Sequence, residues 1–198
     1  MSALFLENGF SEPVPAAQAV FRQIMDAFAQ PGRRADLGGF VTPPPGMDEA
    51  SAALLLALAD PDTPVWFEDR EVAGACAGWL TFQTGAPLAD DPALASFALL
   101  SRRSDPAAWL EFPQGDSAYP DRSATLILPV AALEGGATLR LTGPGIESDI
   151  LIAPLGLPEG FLAARTANRA LFPLGLDLVL VAGPQALALP RTTMIEEV

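Results

Sequence analysis

The chain has 198 residues, 24 of them acidic and 11 basic, giving a formal net charge of −13. Histidine is absent, and all 11 basic residues are arginine, so lysine is absent too. Within this chain that excludes a Ser-His-Asp or Cys-His triad, a His-based zinc site, a Schiff-base lysine and the lysine of a Walker phosphate loop.

The first strong element spans about Val14 to Gln30. Val20, Phe21, Ile24 and Phe28 recur at helical spacing while Gln18, Arg22, Asp26 and Gln30 are polar. Pro15 suits a first helical turn and Pro31-Gly32 ends the element. Thr42 to Gly46 carries three consecutive prolines and reads as a stiff connector. A second helix is expected to start at Asp48 as N-cap and to run through Leu58 to Asp60-Pro61, apolar nearly all round and therefore buried. Pro64 to Phe67 reads as a short strand, and Glu71 to Ala77 as a short helix. Trp79 to Thr84 alternates at period two, which predicts a strand or strand-like turn. Ala95 to Leu100 is a further strand.

Ala124 to Val130 carries the clearest β signal. Gly135-Gly136 and then Thr138 to Thr142 follow it, a pattern that predicts a hairpin. Pro129 cannot donate to a ladder, so its strand is expected at a sheet edge or at a bulge. Pro158 to Leu171 reads as a third long helix with Pro158 near its first position. Leu176 to Val181 is a core strand, with Ala186 to Leu189 its hairpin partner across Gly183-Pro184. Helices alternating with strands, then strands dominating, point to an α/β domain in three layers with a mixed sheet, one domain over residues 1–198.

Half of the residues are apolar, enough for a sizeable core in a chain of this length. A lone cysteine, Cys76, makes no intrachain disulfide and reads as a small buried filler. Met1 to Glu7 has no basic flank and too short an apolar stretch for a signal peptide. The longest aliphatic run, Ala52 to Ala59, is far short of a membrane span. The acidic balance opposes non-specific binding to nucleic acid. A cytoplasmic protein without membrane or nucleic-acid partners is expected. Alanine is abundant, at 35 residues, so the missing lysine is equally consistent with a codon bias toward G and C.

Few segments offer chemistry. Leu141-Thr142-Gly143-Pro144-Gly145-Ile146 holds a G-x-G after a strand, but position 148 is Ser, so it reads as a structural turn. Leu189-Pro190-Arg191-Thr192-Thr193 puts a guanidinium, two hydroxyls and backbone amides on one post-strand stretch. Arg191, Thr192 and Thr193 are therefore candidates for contact with a phosphate-like anion. The competing reading is an arginine that caps carbonyls or pairs with a carboxylate. Arg33-Arg34 and Arg102-Arg103 read as solvated loop charges. Asp60, Asp62, Glu68, Asp69 and Glu71 are the densest carboxylates, without the spacing of a calcium loop. Trp66, Trp79 and Trp109 are expected in the core or at an interface.

Several segments together resemble one family. They are Gly9-Phe10, Pro13-Val14, Gln18, Phe21-Arg22, Met25 to Ala27 and Pro31-Gly32; Leu58 to Asp60 and Asp62 to Trp66; Phe82 with Thr84 to Leu88; Ala124 to Leu128; Leu139 to Ile146; Phe172 to Leu178; and Leu189 to Thr193. In order along the chain they are similar to the H-subunit family of the bacterial carbon–phosphorus lyase complex, and weakest between about Ser101 and Arg122. The resemblance implies a fold like the large domain of pyridoxal-phosphate-dependent transferases, without that cofactor. It also implies work alongside the G, I and J subunits. That assembly helps replace the adenine of a nucleoside triphosphate by a phosphonate, giving a ribose 1-phosphonate 5-triphosphate, before a radical S-adenosylmethionine subunit cleaves the C–P bond. No catalytic residue, cofactor or metal is carried over. Alone, the chain is expected to form a homodimer. The other class left open is a free-standing carboxylate-based enzyme on a small anionic substrate, which calls for paired carboxylates with shifted pKa values in a pocket.

Overall fold

The computed structural model describes residues 8–198; the segment Met1–Glu7, expected to lack a targeting signal, lies outside them. Helix α1 (Pro13–Ala29) starts with prolines in its first turn and buries Ala16, Val20, Ile24 and Ala27, a single stripe at helical spacing. Helix α2 (Glu49–Leu58) buries six consecutive residues, Ala50 to Leu55, as its all-round apolar sequence predicts. Asp48 stands at its N-cap, but the side chain makes no capping bond there and instead accepts the Gly183 amide at 3.1 Å. Helix α3 (Arg70–Thr84) is capped by Asp69, which accepts the amides of Glu71 and Val72, and ends on Gly85 in the left-handed region.

The expected strand at Trp79–Thr84 is therefore the second half of a helix. Cys76, Trp79 and Leu80 are buried at helical spacing while Phe82 stands 64% exposed. The alternation of apolar and polar types is coincidental, because burial follows a period of 3.6. The expected short helix at Glu71–Ala77 is its first half.

Six strands form the main sheet: β1 (Arg34–Asp36), β2 (Val65–Phe67), β3 (Phe97–Leu99), β4 (Thr125–Pro129), β7 (Asp177–Ala182) and β8 (Gln185–Leu189), in the order β1-β8-β7-β4-β3-β2. Strands β2, β3, β4 and β7 run parallel; β8 is antiparallel to β7 and β1 to β8. The sheet is thus mixed. Side chains alternate between two cores: Ile127, Val179 and Val181 face α1, α2 and α3, and Leu126, Leu128, Leu178 and Leu180 face the other way. On that second face lie helix α4 (Phe161–Ala170) and a smaller antiparallel sheet, β6 (Ile150–Ile152), β5 (Leu139–Thr142) and β9 (Met194–Glu197). Trp109 and Phe161 meet there edge to face, with ring centroids 6.2 Å apart.

Three further expectations are corrected. Gly135-Gly136 does not turn a hairpin: β4 and β5 belong to different sheets, and the linking chain pairs with the 153–155 segment through Gly136 N–H to Ala153 O and Ala131 N–H to Leu155 O. Strand β4 is central, not an edge. Its proline is tolerated because β3 ends at Leu99, opposite Ile127, so position 129 has no partner on that side. Helix α4 begins at Phe161 rather than Pro158, because Gly160 sits at φ +81° as its N-cap. Strands β1, β6 and β9 carried too few alternating residues to be read from sequence.

The Gly143-Pro144-Gly145 segment is a structural turn, as expected. Gly145 has φ +83°, and an added Cβ would lie 2.1 Å from the carbonyl oxygen of Ala29 at the end of α1. The turn thus clips the smaller sheet to the helical layer. Gly145→Ala is expected to cost about 2–4 kcal/mol, from left-handed strain plus overpacking. A shift of the urea midpoint equivalent to less than about 1 kcal/mol would show that the clip is soft.

Candidate functional site

A cleft of about 580 Å³ opens where the parallel strands end. Phe67, Leu99 and Pro129, the last residues of β2, β3 and β4, form its floor, with Gly46, Met47 and Asp48 before α2, Asp69 and Val72 at the start of α3, and Ser101, Arg102 and Arg103 after β3 around it. This is the end of an open α/β sheet at which ligands bind. The loops are organised by carboxylates. Asp69 caps α3, Glu68 accepts the Ser101 amide at 2.6 Å, and Asp48 accepts the Gly183 amide with Arg102 Nη2 at 4.0 Å. Each is engaged in holding backbone. Among the described residues no cluster of three or more Cys, Asp or Glu side chains is arranged to hold a metal ion.

The cations differ. Arg102 is 59% exposed at the side chain and has only the long contact to Asp48, and Arg103 is exposed with no partner for its guanidinium among the described residues. The cleft therefore offers two available guanidinium groups over an apolar floor, an arrangement suited to an anion.

The Arg191–Thr193 segment lies at the opposite end of the sheet. Arg191 N–H and Nε donate to Asp177 Oδ1 at 2.8 and 3.3 Å, and Nη2 donates to Oδ2 at 2.6 Å. Its Nη1 donates to the carbonyls of Pro120 (2.7 Å) and Pro173 (3.4 Å), and Nη2 also donates to Ser123 Oγ. Asp177 opens β7 beside Thr125, the first residue of β4. The 177–182 strand thus separates this cluster from the cleft by roughly 17 Å. The resting guanidinium clasps the chain together. Thr192 is half-buried and Thr193 is buried with no partner for its Oγ1.

Behind the segment stands Arg165 of α4, 4% exposed, donating to the carbonyls of Leu176 (3.3 Å), Leu189 (3.0 Å) and Pro190 (2.7 Å). Burial pushes its pKa down to about 10, an effect opposed by the nearby Asp177 and reinforced by Arg191. Cys76, the expected filler, is fully buried with its thiol pushed up to about 11 by burial, so it stays protonated at neutral pH.

Comparison with known proteins shows the family. The family model described as "Bacterial phosphonate metabolism protein (PhnH)" matches residues 8–196. The chain belongs to the PhnH family. It is 46% identical over 189 residues to the alpha-D-ribose 1-methylphosphonate 5-triphosphate synthase subunit PhnH of Rhizobium meliloti (strain 1021), covering 96% of this chain and 94% of that one. It is 33% identical over 191 residues to HtxG of Stutzerimonas stutzeri, a proposed C-P lyase subunit, covering 91% and 86%. The family resemblance carried by the ordered sequence segments is thereby shown.

In this PhnH-family chain the sequence points to Arg191, Thr192 and Thr193 and not to the cleft, where Arg102-Arg103 reads as solvated loop charge. The available signal was position: the pair directly follows an apolar strand, and residues just beyond a parallel strand line the binding end of the sheet. Nothing in the local sequence reveals that Arg165 is buried. The carboxylates at 60–71 do not act as a group: Asp60 organises its own turn, accepting from Asp62 N and Thr63 Oγ1 at 2.9 Å, and Asp69 is the α3 cap. Among the described residues no helix is long and apolar enough to cross a membrane.

Proposed function

We propose that this chain is a subunit of a ribose 1-methylphosphonate 5-triphosphate synthase acting in the carbon–phosphorus lyase pathway, with a structural and substrate-facing role rather than independent catalysis. The observation that carries the reading is the 46% identity to a subunit of that synthase along 96% of the chain. Its partners in this reading are the G, I and J subunits, its location is the cytoplasm, where nucleoside triphosphates are available, and alone it forms a homodimer. Exposed apolar side chains such as Val14, Phe82, Leu94 and Leu110 offer surface for such contacts. The likeness to the large domain of pyridoxal-phosphate-dependent transferases belongs to the same proposal. With no lysine in the chain, that cofactor has no Schiff-base partner here.

Displacing adenine from a nucleoside triphosphate needs stabilisation of positive charge on the ribose and a clamp on a polyanion. In a chain of net charge −13, the exposed guanidinium groups of Arg102 and Arg103 are the part of the cleft able to meet that polyanion. Arg191 acts as a brace in this reading; a direct anion contact by Arg191, Thr192 and Thr193 would require it to exchange Asp177 for the ligand. The test is adenine release from ATP and methylphosphonate by the assembly reconstituted from all four subunits. The isolated chain is expected to release none. Arg102→Ala/Arg103→Ala in the assembly is expected to lower kcat/KM about tenfold or more. Steady release by the isolated chain would refute the subunit role. An unaffected double variant would remove the cleft from the proposal, and Arg191→Ala measured beside it separates cleft from clasp.

A further inference from the structure

At the end of the sheet opposite the cleft, Arg191 joins two loops. Its Nη1 donates to the carbonyls of Pro120 (2.7 Å) and Pro173 (3.4 Å), so the 119–123 and 171–174 segments lie within reach of one donor atom. Each segment carries exposed apolar side chains. Tyr119 is 49% exposed on the first, and Leu171 and Phe172 are 39% and 62% exposed on the second. Arg122 stacks on Tyr119, with its Cζ 3.9 Å from the ring centroid, so both side chains are ordered before any partner arrives. Further hydrogen bonds brace the same loops. Tyr119 N–H donates to Asp116 Oδ1 at 2.8 Å, Arg122 N–H to the Tyr119 carbonyl at 3.2 Å, and Phe172 N–H to the Arg169 carbonyl at 3.2 Å.

Single exposed apolar residues need no explanation, but here three stand on two loops tied by one guanidinium. Tyr, Phe and Arg are also the residue types enriched where proteins bind one another. Charge selects the occupant. With a net charge of −13, most of this surface repels a second copy of the chain. On these loops the signs balance: Arg122 and Arg169 are exposed, and so are Asp116 and Asp121. A two-fold interface brings one patch against itself, so it must carry both signs to be self-complementary. A partner of one dominant charge would instead call for a patch of one sign.

We propose that the surface formed by Tyr119, Arg122, Leu171 and Phe172 is where a second copy of this chain docks about a two-fold axis. The apolar side chains meet at the centre, and Arg122 and Arg169 of each copy meet the acidic residues of the other. The proposal rests on the homodimer reading above and gives it a surface. In it the Arg191 clasp holds the interface in shape as well as tying the chain together.

The test is sedimentation velocity of the full chain over a micromolar concentration series at fixed ionic strength. The unaltered chain is expected to sediment as a dimer. Phe172→Ser, at an exposed position, is expected to weaken association about tenfold or more while far-ultraviolet circular dichroism stays unchanged. Arg122→Glu/Arg169→Glu leaves the patch with acids alone and is expected to sediment as a monomer. Arg22→Glu/Arg70→Glu changes the net charge equally at exposed positions on α1 and α3, and is expected to remain dimeric. A dimer that survives both patch variants overturns this surface and leaves the homodimer reading standing. An unaltered chain that is monomeric throughout the series overturns both. Equal loss of dimer in the two charge-reversed variants overturns the local charge argument and with it the proposal.

Discussion

Asp177→Ala is expected to destabilise the chain by about 3–5 kcal/mol, the cost of removing one partner from a buried ion pair. Asp177 is 20% and Arg191 14% exposed at the side chain, so water compensates little. The loss also reaches beyond one pair. Asp177 offsets the charge of Arg191 and acts on the buried Arg165 as well, and without it the two guanidinium groups keep carbonyl oxygens and Ser123 Oγ as partners among the described residues. Four segments meet there: the start of β7, the turn before β9, the Pro120–Ser123 stretch and α4. Urea unfolding at neutral pH measures the effect, and a drop of about 6–20 °C in melting temperature should accompany it for a domain of this size. Arg191→Ala should cost less, because it removes a cation from a cluster with one in excess. Equal losses in the two variants, or a loss below about 1 kcal/mol for Asp177→Ala, would refute the charge argument.

Trp79→Ala is the second large effect, at about 3–5 kcal/mol for emptying a fully packed aromatic site. The indole is 1% exposed and its Nε1 donates to the Asn8 carbonyl at 3.3 Å, tying the start of the described chain to α3. Leu80→Ala is expected to cost about 2–5 kcal/mol, since Leu80 is fully buried. Phe82→Ala should change stability by less than about 1 kcal/mol, because the ring is exposed. That pattern separates a helix from the strand that the sequence suggested. Adjacent residues 79 and 80 share one buried face only in a helix; in a strand they point to opposite faces and 80 pairs with 82.

The contrast at Trp79–Thr84 shows where sequence reading succeeds and where it stops. Elements with many periodic residues were legible: α1 and α2, the β4 and β7 strands, and the β7–β8 hairpin across Gly183-Pro184 all lie within a residue or two of their expected positions. In each, burial repeats at one period for long enough to outweigh local accident. Six residues of alternating type inside α3 were too few. Three-residue strands such as β1 and β6 hold no period at all, and exist because neighbouring strands present free amides and carbonyls to them.

The candidate sites divide the same way. Composition alone settled which chemistry is impossible here, since a chain without lysine or histidine excludes whole mechanisms whatever its fold. The ordered set of short segments was enough to identify the family, because it reports ancestry and needs no geometry. Which charges are free was decided only by tertiary structure. Arg191, the most conspicuous cation in the sequence, is bound by a carboxylate 14 residues earlier, while Arg103, which the sequence presents as an ordinary solvated charge, has no guanidinium partner among the described residues and lies at a cleft. Arg165 looks like an ordinary surface residue of a helix with Arg169 one turn on, yet it is buried under the turn that carries Thr193. A charge's role depends on its partners and on its distance from water. Both are set by which strand ends and helix faces the sheet order brings together, and strand order is a long-range property that no local window of sequence contains.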